Sequence, residues 1–198
     1  MAEYTATNEP TDQTGFLETP RPGLVAVVVL AAAASWAEAV FPAGGVQVGV
    51  GELLNPKEEA VLVATIAEWE AKTSGEIVIH IAKKLSSKDG MKDAYFWFEK
   101  LGITKTKNRN GVLLFIAARD HFVAILGDVG IHSKVEPDFW NQKIHLLIEA
   151  FKSNDKLIGL CRTVESIGAV LAQHFPLESN ESNPNELDNA LSKSHEGH

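Results

Sequence analysis

The chain has 198 residues, is 45% hydrophobic and 22% charged, and carries a formal net charge of −8. That is the length of one domain with flanks and the composition of an ordinary globular protein, not a fibrous or wholly disordered one. A single cysteine, Cys161, excludes an internal disulfide framework and a thiolate zinc site. The longest apolar run, Leu24 to Ala34, has 11 residues, short of the ~20 that cross a bilayer as a helix.

The charge is unevenly placed. Residues 1–50 hold one Arg and five acids, 51–176 hold 16 basic and 16 acidic residues, and 177–198 hold one Lys and five acids. The middle is neutral and each flank carries −4. No basic stripe suits nucleic acid or anionic lipid, so no nucleic-acid partner and no transmembrane span are expected. Four stretches follow. Residues 1–22 read as a disordered acidic leader, 23–51 as an apolar segment and Gly-rich linker, 52–176 as the domain, and 177–198 as a disordered acidic tail. The tail holds a frayed turn at Glu186–Leu191, and its His195 and His198 read as exposed.

Leu24 to Val40 supports two readings of equal weight. It has the length of a signal-peptide core and ends on Ala37-Glu38-Ala39, an A-x-A pattern. The residues before it are acidic, where a signal peptide is positive. The other reading is a helix, buried or lying on a membrane surface. The acidic start favours a cytoplasmic chain, whereas a working signal over 24–39 would export it.

In the domain, Asn55-Pro56-Lys57-Glu58 opens a helix: Asn caps, Pro suits the first turn, and Glu58 reaches back to the cap N–H. Leu62, Ile66 and Trp69 form its apolar face, and it ends near Thr73-Ser74-Gly75. Glu76 to Ala82 is a strand with Ile77, Ile79 and Ile81 on one face and His80 on the other, where it reads as a packed histidine. Met91, Ala94, Tyr95, Phe98 and Leu101 recur at helical spacing, with Gly102 as the stop. Gly111 to Ala117 is a strand buried on both faces, and Phe122 to Leu126 returns from it in a hairpin. Pro137 begins the next helix, with Trp140, Ile144, Leu147, Ile148 and Phe151 inward. Asp155 caps the last, with Leu157, Cys161, Val164, Ile167 and Leu171 inward. Cys161 is therefore read as buried and inert. The order α-β-α-β-β-α-α, with one parallel crossover and one hairpin, predicts an α/β fold: a three-layer α/β/α sandwich on a small mixed sheet.

That topology sorts the polar residues. The starts of the parallel strands and the finish of the returning one share an end, so Glu76, Asn110 and Asp128 converge there, with Asp138 arriving on the next helix. This is an oxygen-rich pocket for a hard cation. Arg109 beside it could hold an anion such as phosphate, or could pair with Glu76 or Asp128. The opposite end collects Asp89, Asp93, Asp120 and His121, a second candidate cation site. No nucleophile motif, phosphate-cradling loop or H-E-x-x-H pattern is present.

Taken in order, Thr73-Ser74-Gly75-Glu76-Ile77, Asn108 to Ile116, Ala124 to Ile131, Pro137-Asp138-Phe139-Trp140 and Phe175-Pro176 resemble the TPM domain family over residues 52–176. The resemblance implies the same sandwich, and divalent cation binding, calcium first and magnesium second. It implies an interaction or accessory module, with an unidentified protein partner, in membrane-protein assembly or maintenance. The alternative it carries is a metal-assisted acid phosphatase.

Overall fold

The computed structural model describes residues 27–31, 53–177 and 191–194. A five-stranded mixed sheet runs through it in the order β1-β4-β3-β2-β5. The strands are β1 (Val27–Ala31), β2 (Ile77–Ala82), β3 (Val112–Ala117), β4 (Phe122–Gly127) and β5 (Leu191–Ser194). The helices are α1 (Pro56–Glu70), α2 (Gly90–Lys100), α3 (Val129–His132), α4 (Phe139–Lys152) and α5 (Lys156–His174), with a 3-10 turn at Ile103–Lys105. β2 and β3 are parallel, with Ile77 opposite Val112. β3 and β4 form the antiparallel hairpin, with Val112 opposite Gly127.

Two apolar clusters flank the sheet. Ile77, Ile79, Ile81, Val112, Leu114 and Ile116 share one with Leu62 and Ile66 of α1, Trp140 and Phe151 of α4, and Leu160 and Leu171 of α5. Val78, Leu113, Phe115, Ala124 and Leu126 share the other with Met91, Ala94, Trp97 and Phe98 of α2. Period-2 alternation thus sends alternate residues of continuous apolar runs to opposite layers. This is the expected α/β/α sandwich.

The cap of α1 forms as its sequence predicts. Asn55 Oδ1 accepts from the N–H groups of Lys57 and Glu58, and Glu58 Oε2 accepts from Asn55 N at 2.7 Å. Gly102 ends α2 in the left-handed region, at φ 75°. Gly168 lets α5 lie against α1, since a Cβ there would stand 2.5 Å from the Trp69 ring. After α5, the Phe175 carbonyl accepts from Ser74 N and Thr73 Oγ1, so the chain returns to the corner where α1 meets β2.

Several expectations are corrected. Val27–Ala31 is neither a helix nor left apart from the domain: its backbone pairs antiparallel with β4, Val27 opposite Leu126. Leu191–Ser194, in the tail read as disordered, pairs parallel with β2, Ile79 opposite Leu191. Pro137 lies before α4, not in it, in a turn closed by Phe139 N donating to Glu136 O. Pro presets such turns at their second position. Cys161 is half-exposed rather than buried, with Thr65 Oγ1 3.6 Å from its sulfur. The leader, the A-x-A pattern, most of the linker, and His195 and His198 lie outside the described residues.

Candidate functional site

The sheet end where β2 and β3 begin and β4 finishes is built by backbone first. Val112 N donates to Glu76 O, and Asp128 N donates to Gly111 O. These bonds bring Glu76, Asn110 and Asp128 to one end, as the topology requires. All three are buried, with relative exposures of 1%, 0% and 0%.

Arg109 precedes β3 in the left-handed region, at φ 51°. Its guanidinium clasps Asp128 at both oxygens, Nε to Oδ2 at 2.6 Å and Nη2 to Oδ1 at 2.8 Å. The Asp128 carboxylate raises the Arg109 pKa, chiefly through that hydrogen bond. Asp128 Oδ1 also accepts from Val129 N, and so starts α3. Of the two roles open to Arg109, ion pairing is the one seen. The backbone behind it is tight: Gly130 N donates to Arg109 O at 2.8 Å, and a Cβ on Gly130 would stand 2.1 Å from Asn108 O. Only glycine fits there.

Asn110 is held by its own N–H on Thr106 Oγ1. Its Nδ2 donates to Ser74 Oγ at 3.3 Å, and Asn108 Nδ2 donates to the same hydroxyl at 3.1 Å. Asn110 Oδ1 is buried with no partner among the described residues. Glu70, the last residue of α1, accepts from Ile77 N at 3.0 Å, and burial raises its pKa. Sequence reasoning missed Glu70, Ser74 and Asn108. Their common signal was a position at the α1–β2 and α2–β3 junctions, the same sheet end.

Asp138 does not join the group. It is exposed at the start of α4, and its carboxylate accepts from Asn141 and Gln142 of that helix. α3 and the loop after it separate Asp128 from α4 in the chain, although Trp140 of α4 packs against the neighbouring Gly127.

The opposite end is a loop organiser. Asp93, fully buried, accepts from Ser86 N at 2.7 Å and Ser86 Oγ at 2.6 Å. Asp120 accepts from Leu85 N at 2.6 Å, and Asp89 caps α2 through Met91 N. His121 lies in the hairpin turn at φ 51°, its pKa lowered by burial against the pull of Asp120. Among the described residues, no three or more His, Cys, Asp or Glu side chains stand as a metal-holding group. A cation at the first end would therefore need amide and hydroxyl oxygens beside the carboxylates, which hard cations accept.

A sandwich of this topology, with buried polar residues at the parallel strand starts, defines an α/β domain class. The family model for the TPM domain matches residues 50–170, and the chain belongs to that family. Among solved structures it is similar to the NMR structure of BA42 protein from the psychrophilic bacterium Bizionia argentinensis. That match has 36% identity and a TM-score of 0.64, over 73% of this chain and 98% of that one. No curated protein matches the chain. Among the described residues no helix is long and apolar enough to cross a membrane.

Proposed function

We propose that this TPM-family chain is a cation-responsive binding module whose ion, calcium before magnesium, is held at the Glu76–Asn110–Asp128 end of the sheet. The observation that carries the reading is the Asn110 carbonyl oxygen. A buried acceptor without a donor costs about 1–3 kcal/mol, and a hard cation is a partner that would relieve it. Glu76 supplies a buried carboxylate at the same sheet end, and Ser74 a hydroxyl beside the Asn110 amide. Asp128 contributes only if Arg109 lets go. Asp138 stays outside, and the acids of the opposite end are spent on their loop. As an accessory module it would serve assembly or upkeep of membrane proteins, a role that rests on the family resemblance alone.

Calcium titration of the labelled chain, followed by amide shifts, tests the site. Saturable shifts are expected at Glu76, Asn110 and Gly127–Gly130, and loss of them in Asn110→Ala. Shifts confined to Ser86–Asp93 and Asp120 would move the site to the opposite end. No response at millimolar calcium would remove the cation reading.

The second reading is metal-assisted phosphomonoester hydrolysis, favoured by the guanidinium of Arg109, whose side chain is 39% exposed at this same end. Such chemistry needs a metal-bound water and a carboxylate to take its proton. Turnover of a generic phosphomonoester that vanishes in Asp128→Ala would establish it. Inactivity with every divalent metal would end it.

A further inference from the structure

Strand β5 occupies the edge of β2 with side-chain contacts on both faces. On one face Leu191 packs against the larger apolar cluster, and Lys193 pairs with Glu59 of α1. On the other, Ser192 Oγ lies 3.0 Å from His80 Nδ1, and Ser194 Oγ lies 3.0 Å from His80 Nε2. We propose that the β2 edge is a strand-addition site for an extended peptide of the pattern aliphatic–hydroxyl–basic–hydroxyl, and that Leu191–Ser194 is a tethered, displaceable copy of that ligand.

Three observations support it. First, the recognition has a register. Strand side chains alternate with period 2, so one imidazole meets hydroxyls two residues apart while the residue between them faces the other way. A neutral imidazole donates at one nitrogen and accepts at the other, which a pair of hydroxyls satisfies. The basic residue between them meets an acid, Glu59. Main-chain pairing supplies affinity and alternate side chains supply specificity, as in other strand-addition sites.

Second, the resident strand is lightly held. It has four residues, and none of them is buried. Residues 178–190 link it to the domain, so its advantage over an external peptide is the effective concentration of a tether.

Third, the resident strand is an incomplete match. Trp97 stacks on His80 with ring centroids 3.7 Å apart, and its indole N–H is buried with no acceptor among the described residues. Lys100 Nζ lies 4.3 Å from the Trp97 ring centroid. An incoming peptide with one more acceptor at this face would fill a vacancy that Leu191–Ser194 leaves.

The test uses the full chain carrying Ser192→Pro, which removes one hydroxyl and puts a residue without an N–H into the ladder. The probe is a synthetic peptide of residues 189–196, Asn-Ala-Leu-Ser-Lys-Ser-His-Glu. Saturable shifts of the β2 amides and the His80 ring are expected. Binding to the unmodified chain should be roughly 100-fold weaker, because its own strand competes from a tether. A peptide with both serines replaced by alanine should lose binding at least about tenfold, the loss of one or two net hydrogen bonds. No uptake by the variant, or equal uptake of the alanine peptide, overturns the proposal. So does a dimer that exchanges β5 between copies yet takes up no peptide. Should Ser192→Pro fail to fold, hydrogen exchange on the unmodified chain decides. β5 should open well before β3 and β4, and release only at global unfolding overturns the idea.

Discussion

His80 is a charge-bearing residue type placed where it cannot carry charge. Its burial, aided by the nearby Lys100 ammonium, lowers its pKa from 6.5 to about 3. Trp97 and Phe115 stack on it, and the Ser192 and Ser194 hydroxyls take its nitrogens. Above pH 6.5 the ring is neutral whether the chain is folded or not, so it adds no pH dependence. Between 6.5 and about 3 the unfolded chain binds a proton that the folded one refuses. Stability should therefore fall on acidification through that window, by about 1.4 kcal/mol per pH unit from this group. Urea midpoints measured from pH 7 to 4 should show the slope, and His80→Gln should remove one proton's worth of it. An unchanged slope in the variant would place the titration elsewhere. His121 and His132 shift the same way, also mainly through burial, but are only partly buried. The comparison of variants separates them.

At the level of elements, α1 owes its start to a reciprocal cap that is readable four residues at a time. Asn55→Ala should cost about 1 kcal/mol in chemical denaturation and leave the calcium response unchanged. A larger loss would mean that Asn55 holds more than its helix. The same legibility extends to β2, β3 and β4, whose apolar runs are continuous, and to α4, whose five predicted inward residues are all buried. It fails where structure is made by distant partners. Leu191-Ser-Lys-Ser has no alternating apolar pattern, and its strand exists because β2 offers an edge. α3 is four residues long, too short to show a period, although Asp128 is a good cap residue. At the site, strand direction was enough to bring Glu76, Asn110 and Asp128 together. It left Arg109 either an anion to hold or an ion pair with Glu76 or Asp128, and the clasp on Asp128 is the pair that forms. It could not exclude Asp138, which is exposed and accepts from Asn141 and Gln142 of its own helix.

On the scale of the molecule, among the residues whose burial is described, the two apolar clusters draw their buried members from residues 53–171, while β1 and β5 add to the outer edges of the sheet. A fragment of residues 52–176 should fold cooperatively by circular dichroism and show dispersed amide resonances. It should melt below the full chain, and with the β2 and β4 edges bare it should aggregate more readily. A fragment without a cooperative transition would show that the edge strands are integral to the fold.

The sheet order also imposes a timetable. β1 is synthesised first but must wait for β4, since Val27 pairs with Leu126. At ribosomal rates of ~5–20 residues per second, about 100 residues of delay amount to roughly 5–20 s. Throughout that interval the growing chain presents a β-branched apolar segment with no strand beside it. An apolar segment left unpaired in this way is exposed to aggregation until β4 is made. The β2–β4 centre can be complete before either border strand is sealed, and β5, made last, closes the sheet.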